Sequence, residues 1–381
     1  MLLIGIDVGG TYIKYGLIEN NQIIRSLQLA TNAFDIIKQL GNGVRELLQN
    51  EGRDIAEVSG IGVGFPGMVV GQMVCDSPNI GLQNCNLVEI LEEELGRPVK
   101  VVNDAEMATL AEHGLGAGEK CDNMILLTFG TGLGGGIIID GKLYAGKGGS
   151  GEFGHVLMEQ NGKPCPCGRK GCAEQYISMI ALDKLAKEMM NAYPNTCLTK
   201  SSDGYIYASE LMRAYKNHDE CAIQIVSKYV DLVSSYLLDI CNLFRPERIV
   251  IGGGITHAPE LISLIASSCK EKDFGMKNSP KVDIVPAVLG NDAGILGTIM
   301  CFQNTSDNVE TSVESTNYVD ETQNTAEDNN NLLESFVEAS REDDEPVYDE
   351  NLLNRVNEML KKKDWLILQP IGVAFFCSIY M

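Results

Sequence analysis

Apolar positions along the chain alternate between short continuous runs and helical spacing. Leu2 to Val8 is an apolar run stopped by Gly9-Gly10, and Tyr12 to Ile18 and Gln22 to Ala30 follow it, so three strands in a meander are expected. Ile36, Ile37, Leu40, Val44, Leu47 and Leu48 recur at three- and four-residue steps and predict a helix over Phe34 to Leu48. Val58 to Phe65 reads as a buried strand ending at Pro66-Gly67. A helix is expected over Leu87 to Leu95, a strand over Val99 to Val102 ending at Asn103-Asp104, and a helix over Ala105 to His113. Met124 to Phe129 runs as a strand into a glycine-rich stretch, and Ile137 to Ile139, Asp140-Gly141 and Lys142 to Tyr144 read as a hairpin with a type I′ turn.

Helical spacing then dominates. Helices are expected over Ile177 to Ala192, Ala208 to Tyr215, Glu220 to Phe244, Pro259 to Cys269 and Ala293 to Phe302, with strands over Arg248 to Ile251 and Val282 to Val288. Alternating strands and helices imply α/β layering. Strand, glycines around a Thr, then strand occurs twice, at Ile4–Thr11 and again at Leu126–Gly135. That echo suggests two similar domains facing each other. The expected division is 1–118 with about 290–303, and 119–289 carrying a loop at 151–178.

Charge changes the picture at one end only. The chain of 381 residues carries a formal charge of −22, but residues 304 to 350 hold fifteen Asp or Glu and one Arg. The remaining −8 is ordinary for an acidic enzyme, and no basic stripe invites nucleic acid. Residues 304–350 are too polar to bury a core and read as a disordered linker; 351–381 read as a short helix followed by an apolar end. That end is short for a membrane span and contains Pro370, which weighs against an anchor. Nine of the twelve cysteines are scattered without paired spacing. Together with a first strand that follows no basic leader, they point to the cytoplasm.

Three features carry candidate chemistry. His155, Cys165, Cys167 and Cys172 lie within eighteen residues and form the ligand set of a tetrahedral zinc site, with a disulfide as the rival. Glu152 and Glu174 flank that set and would be held still by it, a device suited to gripping a polar ligand. The glycine turns at Gly9-Gly10-Thr11, Gly130-Thr131-Gly132 and Gly252-Gly253-Gly254 are either phosphate cradles, where backbone N–H groups approach without a Cβ in the way, or simply tight turns. No Gly-Lys-Ser/Thr follows, so this is not a Walker A loop. Asn103-Asp104 reads equally as a helix cap or as the carboxylate that accepts a hydroxyl proton in phosphoryl transfer.

Asp7-Val8-Gly9-Gly10-Thr11 with Lys14, Gly64-Phe65-Pro66-Gly67, Asn103-Asp104, Gly130 to Gly135, Gly151-Glu152-Phe153-Gly154-His155 and the Cys165–Glu174 run resemble, in order, the ROK family of sugar kinases and sugar-responsive repressors. The resemblance covers about residues 1 to 303. It implies an actin/hexokinase-like two-domain fold with a cleft, and an ATP- and Mg2+-dependent hexose kinase, glucokinase first. Kinases for N-acetylmannosamine, N-acetylglucosamine or fructose are the alternatives, with a non-catalytic sugar sensor beyond them. By the resemblance Asp104 is the general base; Gly64, Asn103, Glu152, His155 and Glu174 line the sugar site. Asp7 faces magnesium-bound phosphates, Gly9, Gly10, Thr11, Lys14, Gly130, Thr131 and Gly132 take the ATP phosphates, and Gly252, Gly253 and Gly254 lie by the adenosine. Zn2+ is structural, because His155, Cys165, Cys167 and Cys172 fill its four positions.

A homodimer or homotetramer is expected. Met1 abuts the first strand, so a DNA-binding role through a preceding helix-turn-helix domain is not expected. Two departures stand out. Glu106 replaces the family's usual Asn, and Asn79–Asn84 lacks a Pro-Gly-Trp at the substrate lip.

Overall fold

The computed structural model describes residues 1–273 and 280–303. The expected linker at 304–350 and the helix and apolar tail at 351–381 lie outside the described residues. The first sheet is built from β1 (Leu2–Val8), β2 (Tyr12–Glu19), β3 (Gln22–Ala30), β4 (Val58–Phe65) and, later, β8 (Val99–Asn103), in the order β3-β2-β1-β4-β8. β1 is buried almost throughout because β2 pairs antiparallel on one side and β4 parallel on the other. Helix α1 (Ile36–Glu51) crosses from β3 to β4 and buries Leu40, Val44 and Leu47 against the sheet; Gly52 ends it in the left-handed conformation, φ 64°.

Between β4 and α2 (Leu87–Leu95) lies a three-stranded antiparallel sheet that the apolar pattern did not announce: β5 (Met68–Val70), β6 (Met73–Ser77) and β7 (Leu82–Asn86). The departing stretch 79–84 spans the β6–β7 turn and the first residues of β7, with Ile80 tucked into the core.

Helix α3 (Asp104–Leu115) follows β8, and the chain then enters a second sheet. β9 (Met124–Phe129), β10 (Leu133–Ile139) and β11 (Lys142–Leu143) are its first strands; β12 (Arg248–Gly253) and β13 (Asp283–Pro286) complete it, in the order β11-β10-β9-β12-β13. The two five-stranded sheets therefore share one strand order: a central first strand, antiparallel neighbours on one side and parallel ones on the other. Asp140 and Gly141, at φ 51° and 71°, make the β10–β11 turn type I′ as expected.

Helices α5 (Met179–Met190), α6 (Ala208–Lys216), α7 (Glu220–Phe244) and α8 (Pro259–Lys272) pack their apolar faces into the core of the second sheet. One helix was expected over Ile177 to Ala192. It is broken, because Ser178 is extended (φ −65°, ψ 167°) and its Oγ caps α5 by accepting the Ala181 N–H at 3.1 Å; the short α4 (Glu174–Ile177) precedes it. Helix α9 (Ala293–Gln303) returns to the first sheet and lies on a glycine floor. A Cβ at Gly5, Gly16 or Gly62 would come within 2.4 Å of Ile295 or Thr298. Helix α3 packs on both sheets, against β4 and against β9 and β10. Among the described residues no helix is long and apolar enough to cross a membrane.

Candidate active site

The carboxyl ends of β1, β4 and β8 place Asp7, Gly64, Asn103 and Asp104 along one edge of the first sheet. Asp7 pairs with Gly64, and Gly64 in turn with Val102, the residue before Asn103. In open α/β sheets this is the edge where ligands bind. A Cβ on Gly64 would touch the Asp104 Cα at 3.5 Å, so glycine there leaves room beside Asp104. Lys14 Nζ lies 3.3 Å from Asp7 Oδ2, and a Cβ on Gly294, at the start of α9, would meet the Asp7 carboxyl at 2.7 Å.

Asn103 caps α3. Its Oδ1 accepts the N–H groups of Ala105 (2.8 Å) and Glu106 (3.3 Å), and its Nδ2 donates to the Gly67 carbonyl at 2.9 Å. One amide hydrogen therefore remains for a ligand. Glu106 completes the capping box by accepting the Asn103 N–H at 3.3 Å. So the cap falls to Asn103, not Asp104, and the Asp104 carboxylate accepts the Ala105 N–H at 2.9 Å. Burial holds the Asp104 carboxyl above the ordinary aspartate range. The Ala105 N–H opposes that shift, and negative charge on Asp7 and Glu152 adds to it. The buried Glu106 carboxyl is pushed up to about 7, by burial first, with Glu152 and Asp104 contributing against the Asn103 N–H.

The glycine turns fall into two places. Gly9-Gly10-Thr11 joins β1 to β2. Thr31 braces it, its hydroxyl donating to the Gly9 carbonyl (2.7 Å) and its N–H to the Thr11 carbonyl (2.9 Å). Gly130-Thr131-Gly132 joins β9 to β10, where the Gly130 N–H donates to the Gly132 carbonyl at 3.0 Å. Gly252 to Gly254 ends β12 beside it: Gly253 pairs with Phe129, and a Cβ there would strike the Phe129 carbonyl at 2.5 Å. Gly10 and Gly130 have open space where a Cβ would stand, as a cradle for a ligand requires. Gly134 and Gly136 serve packing instead. A Cβ on Gly134 would press on Ala105 at 3.2 Å and one on Gly136 on Thr109 at 2.3 Å, so β10 reaches the start of α3 next to Asp104.

His155, Cys165, Cys167 and Cys172 converge, with one ligand atom from each within 4.8 Å of all the others. Cys165 Sγ lies 3.7 Å from His155 Nδ1, and Cys167 Sγ 3.6 Å from Cys172 Sγ. Three sulfurs and one nitrogen suit zinc. Burial, then hydrogen bonds from Cys167 and Cys165, push the Cys172 thiol up to about 12. The other face of His155 looks outward, its Nε2 4.0 Å from Glu152 Oε2. Glu174 Oε2 accepts the Leu133 N–H at 3.2 Å and Oε1 accepts from Gln175 at 3.4 Å; Gln175 also donates to Cys165 Sγ at 3.8 Å.

Two tyrosines of α7 anchor this loop. Tyr236 donates to the Phe153 carbonyl at 2.5 Å and Tyr229 to the Ile177 carbonyl at 2.6 Å. Sequence reasoning placed both only as apolar positions of a long helix. Their seven-residue spacing on one face was the available signal.

A ROK family sequence model matches residues 3–305. The chain belongs to the ROK family. It is 32% identical over 305 residues to a glucokinase of Halalkalibacterium halodurans, covering 77% of this chain and 92% of that one. It is 27% identical over 304 residues to an N-acetylmannosamine kinase of Haemophilus influenzae, covering 78% and 94%. Among solved structures, a ROK family glucokinase from Streptomyces griseus in complex with glucose and AMPPNP superposes with a TM-score of 0.68 at 34% identity, over 78% of this chain and 97% of that one. A ROK family transcriptional regulator superposes with a TM-score of 0.70 at 25% identity, over 79% and 78%. The fold is thus α/β and actin/hexokinase-like, as the motifs implied.

Proposed function

We propose that this ROK protein is a cytoplasmic, oligomeric sugar kinase that transfers the γ-phosphoryl group of MgATP to a hexose hydroxyl, with glucose the leading substrate. The observation that carries this reading is the state of Asp104. It is a half-buried carboxylate released from capping by Asn103, with its pKa raised, at the carboxyl edge of the first sheet and beside the β9–β10 glycine turn region. A raised carboxylate pKa is what a general base needs in order to hold a proton during transfer.

In the reaction Asp104 accepts the proton of the attacking sugar hydroxyl. The sugar oxygen bonds to the γ-phosphorus, the bond from that phosphorus to the bridging oxygen breaks, and ADP leaves with the electron pair. The free amide hydrogen of Asn103, His155 Nε2 and the carboxylates of Glu152 and Glu174 hold the other sugar hydroxyls, with Gly64 leaving room. Hydroxyls both donate and accept, which suits this mixed set. Backbone N–H groups of Gly10 and Thr11, and of Thr131 and Gly132, serve the phosphates; the N–H groups of Gly9 and Gly130 close the turns that carry them, and Gly252 to Gly254 border the adenosine. Asp7, beside Lys14, would face the phosphates and the magnesium bound to them. His155, Cys165, Cys167 and Cys172 would hold a zinc ion, which would supply rigidity to the loop that carries His155 and Glu152. Closure of residues 1–118 and about 290–303 on 119–289 would exclude water from the transfer.

Asp104→Asn tests the reading. Hexose affinity measured by calorimetry is expected to stay within a few-fold of wild type while kcat falls by about 10² to 10⁴. A variant that turns over near the wild-type rate removes Asp104 from the mechanism. A sugar-binding regulator on this fold would bind hexose in both forms and release ADP in neither.

A further inference from the structure

The chain passes between the two five-stranded sheets twice, from α3 to β9 through residues 116–123 and from β13 to α9 through residues 287–292. Both passages meet at one carboxylate. Glu112, 1% exposed near the end of α3, accepts the Ala117 N–H on Oε2 at 2.8 Å, and the Val288 and Leu289 N–H groups on Oε1 at 3.0 and 2.8 Å. Its own carbonyl accepts the N–H groups of Gly116 and Gly118. Ala117 is held from the other side as well, since Arg248 of β12 donates to its carbonyl at 2.6 Å. Gly116 makes the arrangement possible: a Cβ there would sit 2.2 Å from Glu112 Oε2. A buried carboxylate satisfied by three main-chain donors is costly to leave unpaired, so it fixes whatever carries those donors. Here the donors belong to the two connections that any movement of one sheet against the other must bend.

We propose that Glu112 is a positioning residue: it ties the two crossings into one pivot, and so sets how the edge carrying Asp104 meets the edge carrying Gly130 to Gly132 and Gly252 to Gly254. The inference rests on the kinase reading for its catalytic consequence but not for its structural one. Glu112→Gln keeps the shape yet turns an NH2 toward an N–H donor, releasing one crossing. Gly116→Ala leaves Glu112 intact and displaces its carboxylate.

The test combines hydrogen exchange with kinetics on the full-length protein. In Glu112→Gln exchange is expected to quicken about tenfold or more either at Ala117 or at Val288 and Leu289, whichever crossing faces the NH2, and in Gly116→Ala at Ala117 first, while β1 and β9 amides keep wild-type protection. KM for hexose and for ATP is expected to rise as kcat falls, each about tenfold, because a pivot acts on binding and transfer together. A loss of active fraction alone would lower kcat and leave both KM values unchanged. Glu119→Gln, an exposed change in the same segment, should behave as wild type. Unchanged exchange at the three amides, uniform quickening throughout the chain, or unchanged KM values with local quickening would each overturn the proposal. Should the wild-type protein phosphorylate no hexose, the kinase reading fails, and the three amides still decide whether Glu112 ties the crossings.

Discussion

At the carboxyl end of β1, β4 and β8 the first sheet presents charge: Asp7 with Lys14, then Asn103 and Asp104. At the matching end of β9 and β12 the second sheet presents bare backbone at Gly130, Gly132 and Gly252 to Gly254. The strand order behind both ends is the same. Topology therefore decides where a site can form, and a handful of residues at the strand ends decides its chemistry. On the proposed reading the first edge supplies the proton acceptor together with the Gly9–Thr11 turn, and the second edge supplies glycine turns alone. The loop through His155 and Cys172 lies between β11 and α4, bringing a thiol and imidazole cluster that neither sheet contains.

The loop gives the largest expected break in this comparison. Cys167→Ser removes an exposed thiol from the cluster, and zinc content by elemental analysis is expected to fall well below one per chain. Hexose KM should rise about 10- to 100-fold as His155 loses its anchor, while kcat at saturating sugar suffers less. Unchanged metal content would remove the cluster from the account.

Gly132→Ala probes the second edge. Its Cβ would stand 2.4 Å from Glu174 Oε2, displacing the acceptor of the Leu133 N–H. Loss of one charge-assisted hydrogen bond costs about 1.5 kcal/mol, or roughly tenfold in kcat/KM. The same change at Gly10, where nothing lies within reach of a Cβ, should disturb nucleotide KM and spare hexose KM. Equal effects on both substrates would merge the two edges into one function.

Glu106→Gln sharpens the first edge by pH. Glu106 titrates near 7 in the fold against an ordinary value of 4.5, so its protonated form favours folding. That contribution is full below about 4.5 and is lost as pH rises through about 7. Gln keeps the capping acceptor without the charge. Its stabilisation is expected to reach about 2 kcal/mol at pH 8 and to vanish near pH 4, read from thermal melts at both values. A difference of the same size at both pH values would show that Glu106 is not buried as a charge.

Much of this was legible in the chain because its signals are local. Leu2 to Val8 and Met124 to Phe129 are central strands buried on both faces, and such strands read as continuous apolar runs. His155, Cys165, Cys167 and Cys172 lie within one short segment, so their spacing alone brings them together. What stayed hidden depends on partners far along the chain. The β5–β7 sheet has strands of three to five residues with mixed burial, too short to show a period. The break at Ser178 is set by a cap inside an apolar stretch. Glu112 looked like one more polar helix position until its three amide donors, one of them 177 residues away, closed around it. The residues alone left Asn103-Asp104 open between cap and proton acceptor; the hydrogen bonds give the cap to Asn103, while the Asp104 carboxylate takes only a local bond from the Ala105 N–H among those described.

The most direct measurement of the central claim is 31P NMR of the purified protein with MgATP and, in turn, glucose, N-acetylmannosamine, N-acetylglucosamine and fructose. The account predicts a hexose monophosphate resonance growing in step with ADP, fastest with glucose and absent without sugar. ADP with no phosphosugar, or no ADP with any hexose, would contradict it.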